Sequence, residues 1–174
     1  MPHIDKHPPG AFCWIELSTT DQNAAKSFYS SLFGWASQDF PMGPNDFYTM
    51  FQLEGRDTGA AYTMRPEQRS HGVPPHWMIY IAGESADDAA SRVAQLGGKV
   101  LAPPCDVYDA GRMAVVQDPT GAVFALWQAK KNTGDGNLRR AWHPLLGGSD
   151  DAGPRARQGV LLQSIRLEDY QGRK

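Results

Sequence analysis

A carboxylate and an imidazole that face one cleft can act as a base and the group that orients it, and Glu16 and His76 are the candidates for that pairing in this sequence. Glu16 follows Trp14 by two residues in the run Phe12-Cys13-Trp14-Ile15-Glu16-Leu17, and His76 precedes Met78 by two in His76-Trp77-Met78-Ile79-Tyr80-Ile81. Residues two apart in a strand share a face. The plainer reading is a strand-edge histidine and a hydrogen-bonded glutamate. Phe12, Trp14, Met78, Tyr80, Met113 and Trp127 are aromatic or polarizable and suit a pocket that stacks flat ligands, although any one of them alone would do as ordinary core. Cys13 and Cys105 are the only cysteines and lack the close Cys or His spacing of a structural zinc site. They read as two reduced thiols.

Elements must carry these side chains to one place. Cys13, Ile15 and Leu17 alternate with Phe12, Trp14 and Glu16, the pattern of a strand with one face on a helix and the other on a cleft. Thr20 or Asp21 then caps a helix whose apolar positions Ala24, Phe28 and Leu32 recur every four residues until Gly34 stops it. Three strand-like runs follow, at about 35–39, 47–53 and 58–64. After a polar loop over 65–75 the order repeats: a strand from His76, a helix over 84–96 closed by Gly97-Gly98, and strands near 99–102, 111–117 and 122–128. The last hairpin turns at Asp118-Pro119-Thr120-Gly121. Two βαβββ modules, at about 10–65 and 75–128, therefore make one α+β domain over 10–130, with a loose leader at 1–9.

Composition narrows the partners. The 174 residues carry a formal net charge of -2 with 41% hydrophobic and 21% charged residues, the balance of an ordinary globular chain. With basic and acidic residues interspersed there is no cationic face for nucleic acid or anionic lipid. No apolar run approaches the roughly 20 residues of a membrane span, and the N-terminus does not resemble a signal peptide. These features predict a cytoplasmic protein without a nucleic-acid or membrane partner.

The doubled module resembles the vicinal-oxygen-chelate superfamily, the group of glyoxalases, bleomycin-resistance proteins and extradiol dioxygenases. The likeness rests on Trp14-Ile15-Glu16-Leu17 leading into Asp21, the helix end Phe28-Tyr29-Ser30-Ser31-Leu32-Phe33-Gly34-Trp35, and the Asp118-Pro119-Thr120-Gly121 turn. It covers about residues 10–128 and is nearest to bacterial members with two such domains in tandem. The resemblance implies a cup of curved sheet in which catalytic members hold a divalent metal, with one ligand from the first and one from the last strand of each module. By spacing these positions fall on Trp14, Thr63, Met78 and Ala125. None is His or Glu, and several nitrogen or oxygen donors at about 2.0 to 2.2 Å are what such a metal needs. We therefore expect no metal and no cofactor, and a cup lined by Phe12, Trp14, Glu16, Thr63, His76, Met78, Tyr80, Met113, Ala125 and Trp127. Metal-independent small-molecule binding is the first expectation. The alternatives are a lyase- or dioxygenase-type enzyme, metal-dependent or using Glu16 and His76, and an inactive truncated remnant.

Residues 131–174 lack the order of a module. Reverse-translated from Trp142 and read one nucleotide forward, they can encode a segment that aligns without a gap to residues 10–35, including the unbroken Phe-Tyr-Ser-Ser-Leu-Phe-Gly-Trp of residues 28–35. This predicts a frameshift between about Lys131 and Trp142 that replaced a second domain of the same type, leaving a tail never selected to pack. Apolar surface orphaned by that loss favours a homodimer.

Overall fold

A computed structural model describes residues 7–44 and 46–134. The expectations for residues 1–6 and for the tail from 135 onward lie outside the described residues.

The first module runs β1 (Phe12–Thr19), α1 (Gln22–Phe33), β2 (Ala36–Gly43), β3 (Asp46–Leu53) and β4 (Arg56–Thr63). The second follows a short helix α2 (Pro66–Ser70) and runs β5 (His76–Ala82), α3 (Ala86–Gln95), β6 (Lys99–Val107), β7 (Gly111–Gln117) and β8 (Val123–Ala129). Local chemistry sets the helix ends. The Asp21 carboxylate accepts from the Ala24 amide at 2.9 Å, and Ser85 Oγ does the same for Asp88 at 3.1 Å, each satisfying a donor that the first helical turn leaves open. Gly34 ends α1 with φ 70°, left-handed backbone that a side chain would strain.

Two expectations about local structure give way. Helix α2 falls within the segment read as loop; Pro66 stands in its first turn, and the Gln68 side chain reaches back to accept from the Arg65 amide at 2.9 Å. Strand β6 extends past Ala102 through Pro103 and Pro104, which it can do as the outermost strand with register shifts between Val100 and Cys105.

The strands form one open, mixed eight-stranded sheet in the order β2-β3-β4-β1-β5-β8-β7-β6. Strands β1 and β5 meet antiparallel at its centre, pairing Ile15 with Ile79, while β4 runs parallel to β1 and β8 parallel to β5. The modules are thus related by an approximate twofold at the Ile15–Ile79 pair, which makes Trp14 equivalent to Met78, Glu16 to Tyr80 and Ala60 to Ala125.

Each face of the sheet has its own core. Under α1, Leu17, Trp35, Phe51 and Ala61 pack with Tyr29 and Trp77; under α3, Ala90, Ala114, Val116 and Leu126 pack with Val93 and Phe124. Tyr29 is the hub of the first group, with ring centroids 5.3 Å from Trp77, 5.7 Å from Trp35 and 5.8 Å from Phe51. Burial of such rings stabilises by roughly 2–3 kcal/mol each. On the opposite, cup-forming face, Trp14, Ala60, Tyr80, Ala125 and Trp127 are buried, with Tyr48, Met50, Met78 and Met113 packed against them.

Candidate functional site in the cup

Strands β1, β4 and β5 build the middle of the cup by alternation. On β1 it is Trp14, Glu16 and Ser18 that point in, since Leu17 belongs to the helix-side core. Register places Ala60 and Tyr62 of β4 beside them, and Tyr80, Met78 and His76 of β5 across from them. Tyr48 and Met50 continue the face on β3, opposite Tyr62 and Ala60, while Ala125, Trp127 and Met113 continue it on β8 and β7. No lysine or arginine stands among these residues.

Glu16 sits at the centre, buried, with the Tyr80 hydroxyl donating to its Oε2 and the Tyr48 hydroxyl also bonded to it. Burial pushes its carboxyl pKa up, and the two phenols only partly oppose that shift. Both phenols are themselves held neutral, first by burial and next by the carboxylate charge they face. The Trp14 indole, which can only donate, bonds to the Tyr48 hydroxyl. The network is a buried polar knot inside aromatic and thioether walls. Tyr80 and Trp127 meet edge to face at 6.1 Å.

Gly111 makes room for Trp127: a Cβ there would lie 2.5 Å from Cζ2 of the indole and 2.7 Å from the Gln128 carbonyl. The Trp127 Nε1–H donates to the Asn132 carbonyl at 3.0 Å, which fixes the ring. Beside it a cavity of about 330 Å³ is lined by His7, Gly83, Glu84, Gln128 and Thr133 among others. His7, assigned to the leader, is buried.

Several expected site residues do share the cup: Trp14, Glu16, Met78, Tyr80, Met113, Ala125 and Trp127. His76 lies on the same face but pairs with Ser18, and its Nδ1 is 2.8 Å from the Pro74 carbonyl. A carbonyl only accepts, so Nδ1 carries the proton. The hydrogen bonds given to Glu16 come from tyrosines, so the two candidates are not joined as base and orienter. Thr63 is a correction. It lies on the helix-bearing face with Ala61, and its hydroxyl donates to Gln22 Oε1 at 3.1 Å. The position equivalent to Ala125 is Ala60. Phe12 is a second correction: the register shift between Phe12 and Trp14 leaves it 59% exposed at the strand start and turns Cys13 into the cup-side core instead.

The four positions at which the resemblance puts metal donors are thus Trp14, Ala60, Met78 and Ala125. An indole, two methyls and a thioether do not fit a divalent ion, and among the described residues no three His, Cys, Asp or Glu converge on one point. Cys13 offers no nucleophile either. Burial pushes its thiol up to about 12, and its Sγ lies against the Tyr80 carbonyl at 3.5 Å.

Tyr48, Met50, Tyr62 and Ser18 are cup residues that the sequence reading did not single out. Ser18 was accessible to it, being four residues beyond Trp14 on the same alternation.

The family model of the glyoxalase/bleomycin resistance protein/dioxygenase superfamily matches residues 11–126. "Putative glyoxylase CFP32" of Mycobacterium tuberculosis is 43% identical over 135 residues, 77% of this chain and 51% of that protein. "Anthracycline biosynthesis protein DnrV" of Streptomyces peucetius is 37% identical over 135 residues, 72% of this chain and 49% of that protein. This chain spans about half the length of the curated relatives it matches. Among solved structures, a hypothetical protein from Bacillus halodurans aligns with TM-score 0.52 at 12% identity, covering 70% of this chain and 96% of that one. A methylmalonyl-CoA epimerase bound to methylmalonyl-CoA aligns with TM-score 0.50 at 14% identity, covering 74% and 99%. At such identities these two speak for the fold alone. Among the described residues no helix is long and apolar enough to cross a membrane.

Proposed function

Since the chain belongs to the glyoxalase/bleomycin resistance/dioxygenase superfamily, we propose that its cup is a metal-independent binding site for a flat, aromatic small molecule. The observation that carries this is the lining: Trp14, Tyr48, Tyr80, Trp127 and three methionines form one cluster on the face that carries the buried Glu16, and the places where donors would stand are occupied by Trp14, Ala60, Met78 and Ala125. Aromatic and thioether side chains recognise π-faces with little demand for a specific atom pattern. The name of the Streptomyces relative, which places it in the making of anthracyclines, points to polycyclic aromatic compounds as the class to try first. Fold alone does not specify chemistry.

A second reading has one observation behind it. A carboxyl held above its ordinary pKa in a lined cleft is a candidate acid or base, and Glu16 is such a group. In that reading the protein is a metal-free lyase or isomerase with Glu16 as the proton carrier.

Both readings are tested on the purified full chain. Titration with planar aromatics should quench the fluorescence of Trp14 and Trp127, and metal analysis should find less than about a tenth of an equivalent of any transition metal. Stoichiometric metal held through dialysis against a chelator overturns the first reading; turnover of a bound compound that disappears in Glu16→Gln favours the second.

The working form in this proposal is a homodimer. Phe28 and Leu32 stand a turn apart on α1, 58% and 56% exposed, an apolar stripe that a second copy could cover. The shifted-frame likeness of residues 131–174 to residues 10–35 supports a tandem ancestor, and sequencing the coding DNA through this region tests it: an intact second frame supports it, and codons that exclude the match dismiss it.

A further inference from the structure

We propose that the cavity at the end of the sheet where β5 and β8 finish is a binding site for a small organic ammonium ion, held between the carboxylate of Glu84 and the ring of Trp127. The proposal does not rest on the aromatic-cup reading, because Glu16 and Tyr80 take no part in lining this cavity.

At about 330 Å³ the cavity stands at the small end of ordinary ligand pockets, which run from roughly 300 to 1,000 Å³. Its walls come from two strand ends and the approach to a helix. Ala82 and Gly83 bring β5 to its close, Trp127 to Ala129 do the same for β8, and Glu84 is the residue before the N-cap of α3. His7 and Thr133 add a side each from the segments before β1 and after β8. The frame is held by hydrogen bonds: the Gly83 amide donates to the Trp127 carbonyl at 2.8 Å, and the Ala86 amide donates to Gln128 Oε1 at 3.0 Å.

The lining selects for positive charge. Glu84 brings the only carboxylate to the cavity, and no hydrogen bond or ion pair among the described residues engages it. The Trp127 indole has spent its one polar atom, the Nε1–H, on the Asn132 carbonyl at 3.0 Å, so it offers the cavity hydrocarbon surface with a negative face. A cation against an indole gains about 0.5–2 kcal/mol, more as water is displaced. An anion finds nothing comparable. No lysine or arginine lines the cavity, and Lys130 and Lys131, which follow Ala129, are already paired with Asp106 at 3.0 Å and Asp109 at 2.7 Å. With the Gln128 oxygen taken by Ala86, its NH2 group and the Thr133 hydroxyl are the neutral partners for a hydroxyl on the guest. Together these groups suit a compact amino-alcohol cation.

The test is an NMR titration of the full chain, following backbone and indole N–H signals, with three probes: choline, its uncharged isostere 3,3-dimethylbutan-1-ol, and 3,3-dimethylbutanoate, which reverses the charge. The variants are Glu84→Gln and Gly83→Leu, with circular dichroism confirming that each is folded. A Cβ on Gly83 meets nothing nearer than 4.0 Å, so the added side chain takes up space without straining the backbone. Choline should bind the wild type with a Kd on the order of 1 mM, reasonable for so few atoms, and shift the Trp127 indole signal. Glu84→Gln should weaken it about 2- to 5-fold, the worth of a part-exposed ion pair, and Gly83→Leu about 10-fold or more by crowding. The isostere should bind more weakly than choline, equally to the wild type and Glu84→Gln, and the carboxylate more weakly still. Equal choline affinity for the wild type and Gly83→Leu overturns the site. Equal affinity of choline and its isostere overturns the ammonium class, and no choline binding at about 20 mM, well above that Kd, overturns both.

Discussion

Removing a hydrogen-bonding group from a protein core ordinarily weakens the fold, yet Ser18→Ala is expected to strengthen this one when no ligand is present. The Ser18 hydroxyl is fully buried and has no partner among the described residues. Its desolvation costs about 1–3 kcal/mol. Deleting one oxygen forfeits a handful of dispersion contacts at about 0.1–0.2 kcal/mol each, on the order of 1 kcal/mol in all. The net expectation is a gain of up to about 2 kcal/mol, centred near 1 kcal/mol, which for a domain of this size raises Tm by about 2–6 °C. Urea unfolding monitored by circular dichroism should move to a higher midpoint with unchanged slope. Loss of 1 kcal/mol or more would refute the reasoning, because it would mean that the hydroxyl already has a partner in the unliganded protein.

Glu16→Gln should remove a pH dependence. Burial raises the folded pKa of Glu16 above the ordinary carboxyl value, so between the two values the native state holds the proton more tightly than the unfolded chain, and stability falls as pH rises through that window. The variant should lose that fall and be the more stable form at pH 8 in denaturant titrations across pH 4–9; parallel wild-type and variant curves count against a buried carboxyl. Gly111→Ala forces a methyl to within 2.5 Å of the Trp127 ring, and such overpacking costs about 1–3 kcal/mol; near-ultraviolet circular dichroism should report the displaced indole, and an unaltered spectrum with unaltered Tm contradicts the packing described. Phe28→Glu, at an exposed position, should leave Tm within about 1–2 °C, a surface-size effect, while halving the mass seen by light scattering at tens of micromolar protein. A wild-type protein already monomeric there disposes of the dimer.

Much of the scaffold can be read without coordinates because its signals are local. Asp21 before α1, Ser85 before α3 and Gly34 after α1 each do a job that only a few residue types can do. The segments that escape are those decided by neighbours. Whether Pro103 and Pro104 end β6 depends on where that strand lies in the sheet, and its outermost place leaves one side of its backbone unpaired. Helix α2 has an arginine at its N-cap, a residue with no short acceptor side chain to announce it.

In the cup, alternation carried Trp14, Glu16, Met78 and Tyr80 to the correct face, because their strands are regular there. It failed for Phe12, where the ladder slips. Thr63 was misplaced because counting from a turn assumes the same turn in both modules. The β3–β4 connection is tight, with φ 53° at Glu54 and 74° at Gly55, whereas β7 and β8 are joined through Asp118-Pro119-Thr120-Gly121. Tyr48 and Met50 depend on a long-range pairing of β3 with β4 that no local pattern announces.

The equivalence of Glu16 and Tyr80 across the centre of the sheet bears on how a guest can sit. A cup built from two copies of one module would accept an elongated molecule in either of two poses, one the half-turn of the other, and neither would be preferred. Here a carboxyl stands at one of two twofold-related stations and a phenol at the other, so the two poses would differ in energy. Under the proposed binding function, the duplicated architecture would tell the two ends of such a guest apart.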